Sequence, residues 1–274
     1  MKLCRFQPLE FGAGILGSLD ESVHPEPRFG IIERETVREI AGDTIAGALG
    51  APRETGRIWP LSQIKLLPPS VPTKIVCIGR NYRAHAAELG NELPKAPLIF
   101  LKPPSAVIGP DEPIVLPRMS KRVDYEGELA IIIGRVCFQL APADDVNPYI
   151  AGCTCLNDVT ARDIQVAEVQ FTRAKSFDTF CPFGPVIETA LDLASTTLET
   201  WVNGKRKQYA HVSEMIFSVD VIIRWISQVM TLVPGDVIAT GTPSGVSPLA
   251  AGDVVEVIAS GVGTLRNTVV APDA

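Results

Sequence analysis

The chain has 274 residues, 46% of them hydrophobic and 20% charged, enough for a substantial core in one large domain or a domain with a smaller companion. A formal net charge of -6 supplies no basic field, which argues against nucleic acid or an anionic membrane surface as a partner. No apolar run reaches the roughly 18 residues of a membrane span, and the opening MKLCRFQPLEFGAG lacks an apolar run before a small-residue cleavage site, so a soluble, cytoplasmic protein is expected.

Residues 1 to about 65 mix strand-like runs with turns, as in RFGIIERETVREIAG, and Pro68, Pro69 and Pro72 then read as a linker, dividing the chain at 1–72 and 73–274. Gly12, Gly14 and Gly17 spell G-x-G-x-x-G, yet turn-rich sequence follows where a nucleotide-binding helix should begin, so no dinucleotide site is expected. KIVCIG reads as a buried strand and RNYRAHAAELG as a short helix ending at Gly90. PLIFLK, GELAIIIG, VIAT and VVEVIA read as further strands between Pro, Gly and Asp turns. SVDVIIRWISQVMTL is the clearest helix, capped by Ser218, with Val219, Ile222, Ile223, Ile226, Val229 and Met230 on one face. The turn Pro234 to Asp236 then starts the next strand. Few helices among many irregular strands predict an antiparallel or mixed β domain in place of repeated βαβ units. Six scattered cysteines predict reduced thiols; Cys153 and Cys155, without a second Cys or His pair nearby, read as small apolar residues on one side of a strand.

The stretch VDYEGELAIIIG places Glu126 and Glu128 on one face of a strand, about 7 Å apart. Val123, Tyr125 and Leu129 fall on the buried side. Two like charges so close need either water, as on a half-exposed strand, or a cation, and the residues leave both readings open. With His24, His85 and His211 the only histidines, a three-histidine zinc site would need all of them to converge, so an oxygen-ligand metal fits better. His85 and Glu88 are helix neighbours that form either a surface pair or an imidazole oriented to take a proton from water. Asp158 is either the cap of a helix beginning in VTARD or a third carboxylate ligand. Lys175 is either solvated or placed to meet an anionic substrate. In GTPSGV, Ser244 lies one position late for a nucleophile elbow, and the segment reads as a turn bordering a pocket.

Eight stretches in order, GRNYRAHAAELG, PLIFLKPPSAVIGP, DYEGELAIIIG, AGCTCLNDVTARDIQ, RAKSFDTFCPFGP, VNGKRKQ, MIFSV and LVPGDVIATGTPSGV, resemble the fumarylacetoacetate hydrolase (FAH) family from residue 73 onward. The first 70 or so residues resemble, more faintly, the small N-terminal domain of many bacterial members. The resemblance implies a β-rich α+β fold, an FAH-type β roll of mixed sheets with few helices plus a small N-terminal β-rich domain, usually as a homodimer. It implies Mg²⁺ or Mn²⁺, with Ca²⁺ a further candidate, held by Glu126, Glu128 and Asp158. By the same resemblance His85 and Glu88 are the catalytic dyad, Lys175 supports a developing enolate, and Arg80, Tyr82, Lys102 and Thr242 bind substrate. His211 stands where small polar residues are usual. The implied activity is hydrolysis of a carbon–carbon bond in a 2,4-dioxo acid, of the acylpyruvate or fumarylpyruvate type. Alternatives are oxaloacetate decarboxylation, isomerisation of unsaturated oxo-dicarboxylic acids from aromatic degradation, and an oxo-acid binding protein without chemistry.

Overall fold

The computed structural model of the protein describes residues 1–9, 26–42, 45, 50, 52–88, 90 and 92–272; the glycine motif at residues 12–17 and His24 lie outside them. Strands β1 (Lys2–Pro8), β2 (Arg28–Glu33), β3 (Thr36–Ala41), β4 (Arg53–Pro60) and β5 (Ile64–Leu67) form the N-terminal segment. Next come β6 (Ile75–Gly79), β7 (Leu98–Lys102), β8 (Val107–Ile108), β9 (Ile114–Val115), β10 (Val123–Asp124), β11 (Gly127–Ile133), β12 (Ile150–Asn157) and β13 (Thr160–Ala161). The chain ends with β14 (Cys181–Glu188), β15 (Thr197–Val202), β16 (Lys205–His211), β17 (Val237–Ala239), β18 (Val254–Ala259) and β19 (Gly263–Val270). Short helices lie at Arg83–Glu88, Arg162–Ala167, Thr172–Lys175 and Val219–Ser227. The strand-rich fold with mixed sheets and few helices is the one the sequence predicted. Among the described residues no helix is long and apolar enough to cross a membrane.

One twelve-stranded sheet runs β4-β3-β2-β1-β14-β12-β11-β17-β6-β7, with β5 beside β1 and β8 beside β14. Its pairs are antiparallel except β17 with β6 and β14 with β8. A five-stranded sheet, β16-β15-β18-β19-β9, packs against its middle. The N-terminal strands therefore join the main sheet directly, through the antiparallel pairing of β1 with β14. The proline segment between them is fixed in place: Ser70 Oγ donates to the Gly235 carbonyl at 2.9 Å, and the Thr73 and Lys74 backbone N–H groups donate to Asp236 Oδ1 at 3.1 and 3.2 Å.

All seven residues of β11 are buried, which overturns the half-exposed strand. The face that carries Glu126 and Glu128 continues into Ala130 and Ile132, which lie in a core with Ala106, Cys181 and Phe183 and not in solvent. Gly127 points to the opposite face, where the second sheet packs closely: a Cβ there would meet Thr200 Oγ1, on β15, at 2.0 Å. Only hydrogen fits between the two glutamates. The run is also broken, since β10 pairs with β13 and β11 starts after Glu126.

On the helix Val219–Ser227, Val219, Ile222, Ile223 and Ile226 are buried and Met230 packs against the same core. Val229 is 62% exposed, because the helix has ended and its period no longer applies. Ser218 occupies the N-cap position, but its hydroxyl bonds Asp220 and caps no backbone N–H. All six cysteines are buried free thiols, Cys153 and Cys155 among them.

Candidate active site

Register places the acidic residues. Antiparallel pairing sets Gly127 opposite Asn157 and Glu128 opposite Leu156, so Glu126 and Asp158 flank the same end of two central strands. Asp158 N–H donates to the Glu126 carbonyl at 2.8 Å, and Glu126 N–H donates to Asn157 Oδ1 at 2.9 Å, fixing the backbone on both sides. Glu126, Glu128 and Asp158 are 5%, 2% and 1% exposed, and each offers a carboxylate oxygen within 4.8 Å of the others. Asp158 is not a helix cap: the following helix begins at Arg162, with Ala161 at its N-cap.

Cations surround two of the three. Lys175 Nζ donates to Glu126 Oε2 at 2.9 Å and Asp158 Oδ2 at 2.6 Å, and Lys102 Nζ donates to Asp158 Oδ1 at 2.6 Å. Arg162 bridges Asp124 and Glu126. Burial alone would raise the Glu126 pKa, but the charges of Lys175, Arg162 and His85 outweigh it and hold the group well below the carboxylate range. Burial would likewise lower Lys175, and the Asp158 and Glu126 charges instead push it up to about 12.

Glu128 differs. It has no ion pair among the described residues, and its one hydrogen bond comes from Gly241 N–H at 2.7 Å. Gly241 has φ 101, and a Cβ there would meet Asn81 Cβ at 2.7 Å, so glycine lets this N–H reach the carboxylate. Burial, then the neighbouring Asp158 and Glu126 charges, push the Glu128 pKa well above its ordinary value. A buried carboxylate without its own cation, facing two others, is an arrangement a divalent cation would satisfy. The oxygens of Glu126 and Asp158 that already accept one hydrogen bond each retain a second lone pair. The residues therefore fit such an ion.

The three carboxylates open on a cavity of about 240 Å³ that is also lined by Arg80, His85, Lys175 and Thr242. His85 is buried on the helix Arg83–Glu88, its Nδ1 3.3 Å from Glu88 Oε2, so the surface-pair reading fails. Glu88 is itself held by Gly245 N–H at 3.0 Å. Arg80 has a left-handed backbone, φ 59, unusual for a residue with a Cβ. Thr242 Oγ1 donates to the Gly127 carbonyl at 2.8 Å and accepts from Gln208 Nε2 at 2.8 Å.

Two expected substrate contacts lie elsewhere. Lys102 does not line the cavity; its buried ammonium sits behind Asp158 and also donates to the Val159 carbonyl at 3.1 Å. Tyr82 is buried outside the lining, with a hydroxyl that has no partner among the described residues. His211 is exposed beside Tyr209 and does not line the cavity. Sequence reading missed Arg162 and Gln165, which line the cavity and bond each other across one helical turn. Their i,i+3 spacing next to Asp158 in NDVTARDIQ was the available signal.

The chain belongs to the fumarylacetoacetate hydrolase family: residues 74–270 match Fumarylacetoacetate (FAA) hydrolase C-terminal, and residues 1–69 match Rv2993c-like, N-terminal. It is 50% identical over 238 residues to Protein Rv2993c of Mycobacterium tuberculosis, spanning 86% of this chain and 88% of that protein. It is 40% identical over 227 residues to Oxaloacetate tautomerase YisK of Bacillus subtilis, spanning 77% of this chain and 75% of that one. Among solved structures, 5-carboxymethyl-2-hydroxymuconate delta-isomerase from Mycobacterium smegmatis superposes with a TM-score of 0.86 at 42% identity, covering 99% of this chain and 100% of that one. Maleylpyruvate hydrolase from Sphingobium sp. SYK-6, in complex with manganese (II) ion and pyruvate, superposes with a TM-score of 0.78 at 31% identity, covering both chains fully at 100%.

Proposed function

We propose that this protein is a divalent-metal-dependent enzyme that forms the enolate of a 2-oxo acid, and that it does so by hydrolysing a carbon–carbon bond in a 2,4-dioxo acid of the acylpyruvate or fumarylpyruvate type. The observation that carries the reading is the convergence of Glu126, Glu128 and Asp158 on the cavity that His85 lines. Mg²⁺ or Mn²⁺ in that carboxylate cluster would supply Lewis acidity toward the substrate's carboxylate and 2-oxo oxygens. Glu88 accepts from His85 Nδ1–H, which leaves Nε2 as the proton acceptor. His85 takes a proton from water as its oxygen adds to the 4-carbonyl; the C3–C4 bond then breaks, the acyl part leaves as an acid, and the electron pair stays on the pyruvate fragment as an enolate. The Lys175 ammonium, fixed between Glu126 and Asp158, is a permanent positive charge beside that developing negative one. A proton returned to C3 gives pyruvate.

A second reading keeps the enolate and omits the water: tautomerisation or decarboxylation of oxaloacetate, or isomerisation of an unsaturated oxo-dicarboxylic acid. Greater identity to the tautomerase and the isomerase than to the hydrolase favours it. A binding protein without chemistry is disfavoured, since every catalytic position is filled with a group suited to it. The test is turnover with Mg²⁺ or Mn²⁺ of acetylpyruvate, fumarylpyruvate and oxaloacetate, following the enol absorbance and pyruvate. Pyruvate from the dioxo acids supports hydrolysis; enol–keto conversion or decarboxylation of oxaloacetate alone supports the second reading; no reaction in any rejects both.

A further inference from the structure

The acidic cavity continues past its aromatic wall. A second hollow of about 430 Å³ shares Arg80, Phe100, Gln165 and Phe171 with it and extends over Leu98, Ile99 and Val169. Phe100 and Phe171 meet edge to face with centroids 5.6 Å apart, and Lys175 Nζ lies 5.1 Å from the Phe100 ring. Phe100 thus stands between the charged centre and a hydrocarbon shelf. The shelf is lined by side chains that burial would favour, Val169 at 93% exposed and Leu98 at 37%, and Val166, 80% exposed, lines the adjoining acidic cavity. Exposed apolar groups gathered at the mouth of a polar cavity mark a surface that a ligand covers. The acid at this hollow, Glu168, is paired with Arg173, so its charge does not oppose an apolar occupant. Arg80, at the junction of the two spaces, has no ion pair or side-chain hydrogen bond among the described residues and is placed to donate to an oxygen where the two parts of a ligand join.

We infer that this shelf seats the distal substituent of the substrate, and that the substituent is an extended alkyl or aryl group. The preferred substrate class is then a long-chain or aromatic acylpyruvate in place of a short dicarboxylate. This rests on the reading of the acidic cavity as the seat of a 2-oxo acid. A tail lying on the shelf loses water-exposed area with each methylene, and half to full burial gives about a twofold to fourfold gain in affinity per carbon.

The test measures binding, so it does not depend on turnover. Oxamate, an isostere of pyruvate, and its N-ethyl, N-butyl and N-hexyl derivatives are titrated calorimetrically into the full chain with Mn²⁺ present. The inference expects oxamate to bind and affinity to climb about twofold to fourfold per methylene across the series. It also expects Val169→Asp and Leu98→Asp to flatten that climb; both side chains are exposed enough for the fold to accept the change. Oxamate binding with no dependence on chain length would overturn the shelf and leave the acidic site standing. So would a climb that neither substitution alters, because the tail would then lie elsewhere. If Val169→Asp dissociated a dimer, the shelf would be a contact between copies and the inference would fall. No oxamate binding with Mn²⁺ present would remove the oxo-acid reading itself, and the shelf with it.

Discussion

Removing the divalent cation should lower thermal stability by an amount the site makes calculable, and Glu128→Gln should cancel most of the effect. A ligand at about 100 times its Kd stabilises the folded state by about 2.7 kcal/mol. With 274 residues and an unfolding entropy of about 2.1 cal/mol/K per residue, stability falls by about 0.6 kcal/mol per degree near Tm, so Mn²⁺ added to stripped protein should raise Tm by about 5 °C. Among the described residues Glu128 is the one of the three carboxylates without an ion pair, its oxygen accepting from Gly241 N–H. The glutamine amide preserves the shape and an acceptor for that N–H while removing the unpaired charge, which in stripped protein should be worth roughly 1–3 kcal/mol, or about 2–5 °C. The pH dependence follows from the raised Glu128 pKa. A carboxyl that binds its proton more tightly when folded contributes full stability below the unfolded value of about 4.3 and loses it as pH rises through the folded value. In EDTA the advantage of Glu128→Gln over wild type should therefore grow from about pH 5 upward. With Mn²⁺ the gap should close by most of that ~2.7 kcal/mol, because wild type keeps the stronger ligand. Scanning calorimetry of both proteins, with metal content checked, reads all of this. A Tm of stripped wild type that ignores saturating Mn²⁺, or a variant that gains as much from Mn²⁺ as wild type, would refute the reasoning.

His85→Ala should slow acylpyruvate cleavage by about 10²- to 10⁴-fold, the usual worth of a general base, and oxaloacetate decarboxylation by less; steady-state rates with metal occupancy verified decide it, and unchanged hydrolysis would move water activation elsewhere. Lys102→Met leaves Asp158 Oδ1 without its buried ammonium and should cost about 3–5 kcal/mol by urea denaturation; a loss below about 1 kcal/mol would mean that the pair does not offset the burial of the Asp158 charge. Light scattering should find a homodimer, and a species of only 29.5 kDa at micromolar concentration would exclude it.

Most strands were legible because bulky apolar runs bounded by Pro and Gly have few other outcomes, as at Ile75–Gly79 and Val254–Ala259. The convergence of the three carboxylates was legible only through the motif resemblance. Alternation puts Glu126 and Glu128 on one face but is silent on whether anything covers it, and here long-range packing does, burying Ala130 and Ile132 on that face with Ala106, Cys181 and Phe183. The depth of Lys102 was hidden for a related reason: its placement behind Asp158 depends on β7 joining the sheet beside β6, a long-range pairing no local pattern encodes. Arg162 escaped notice because a lone arginine on a short helix reads as solvated until Asp124 and Glu126 are brought to it by tertiary structure.

The central claim, that Glu126, Glu128 and Asp158 hold a divalent cation at the floor of the cavity that His85 lines, is tested most directly by anomalous diffraction at the manganese edge from crystals soaked in Mn²⁺ and oxamate. The account predicts one strong peak within about 2–2.5 Å of an oxygen from each of the three carboxylates, with oxamate oxygens completing its coordination. A saturated soak that leaves this position empty, or places manganese elsewhere, would contradict it.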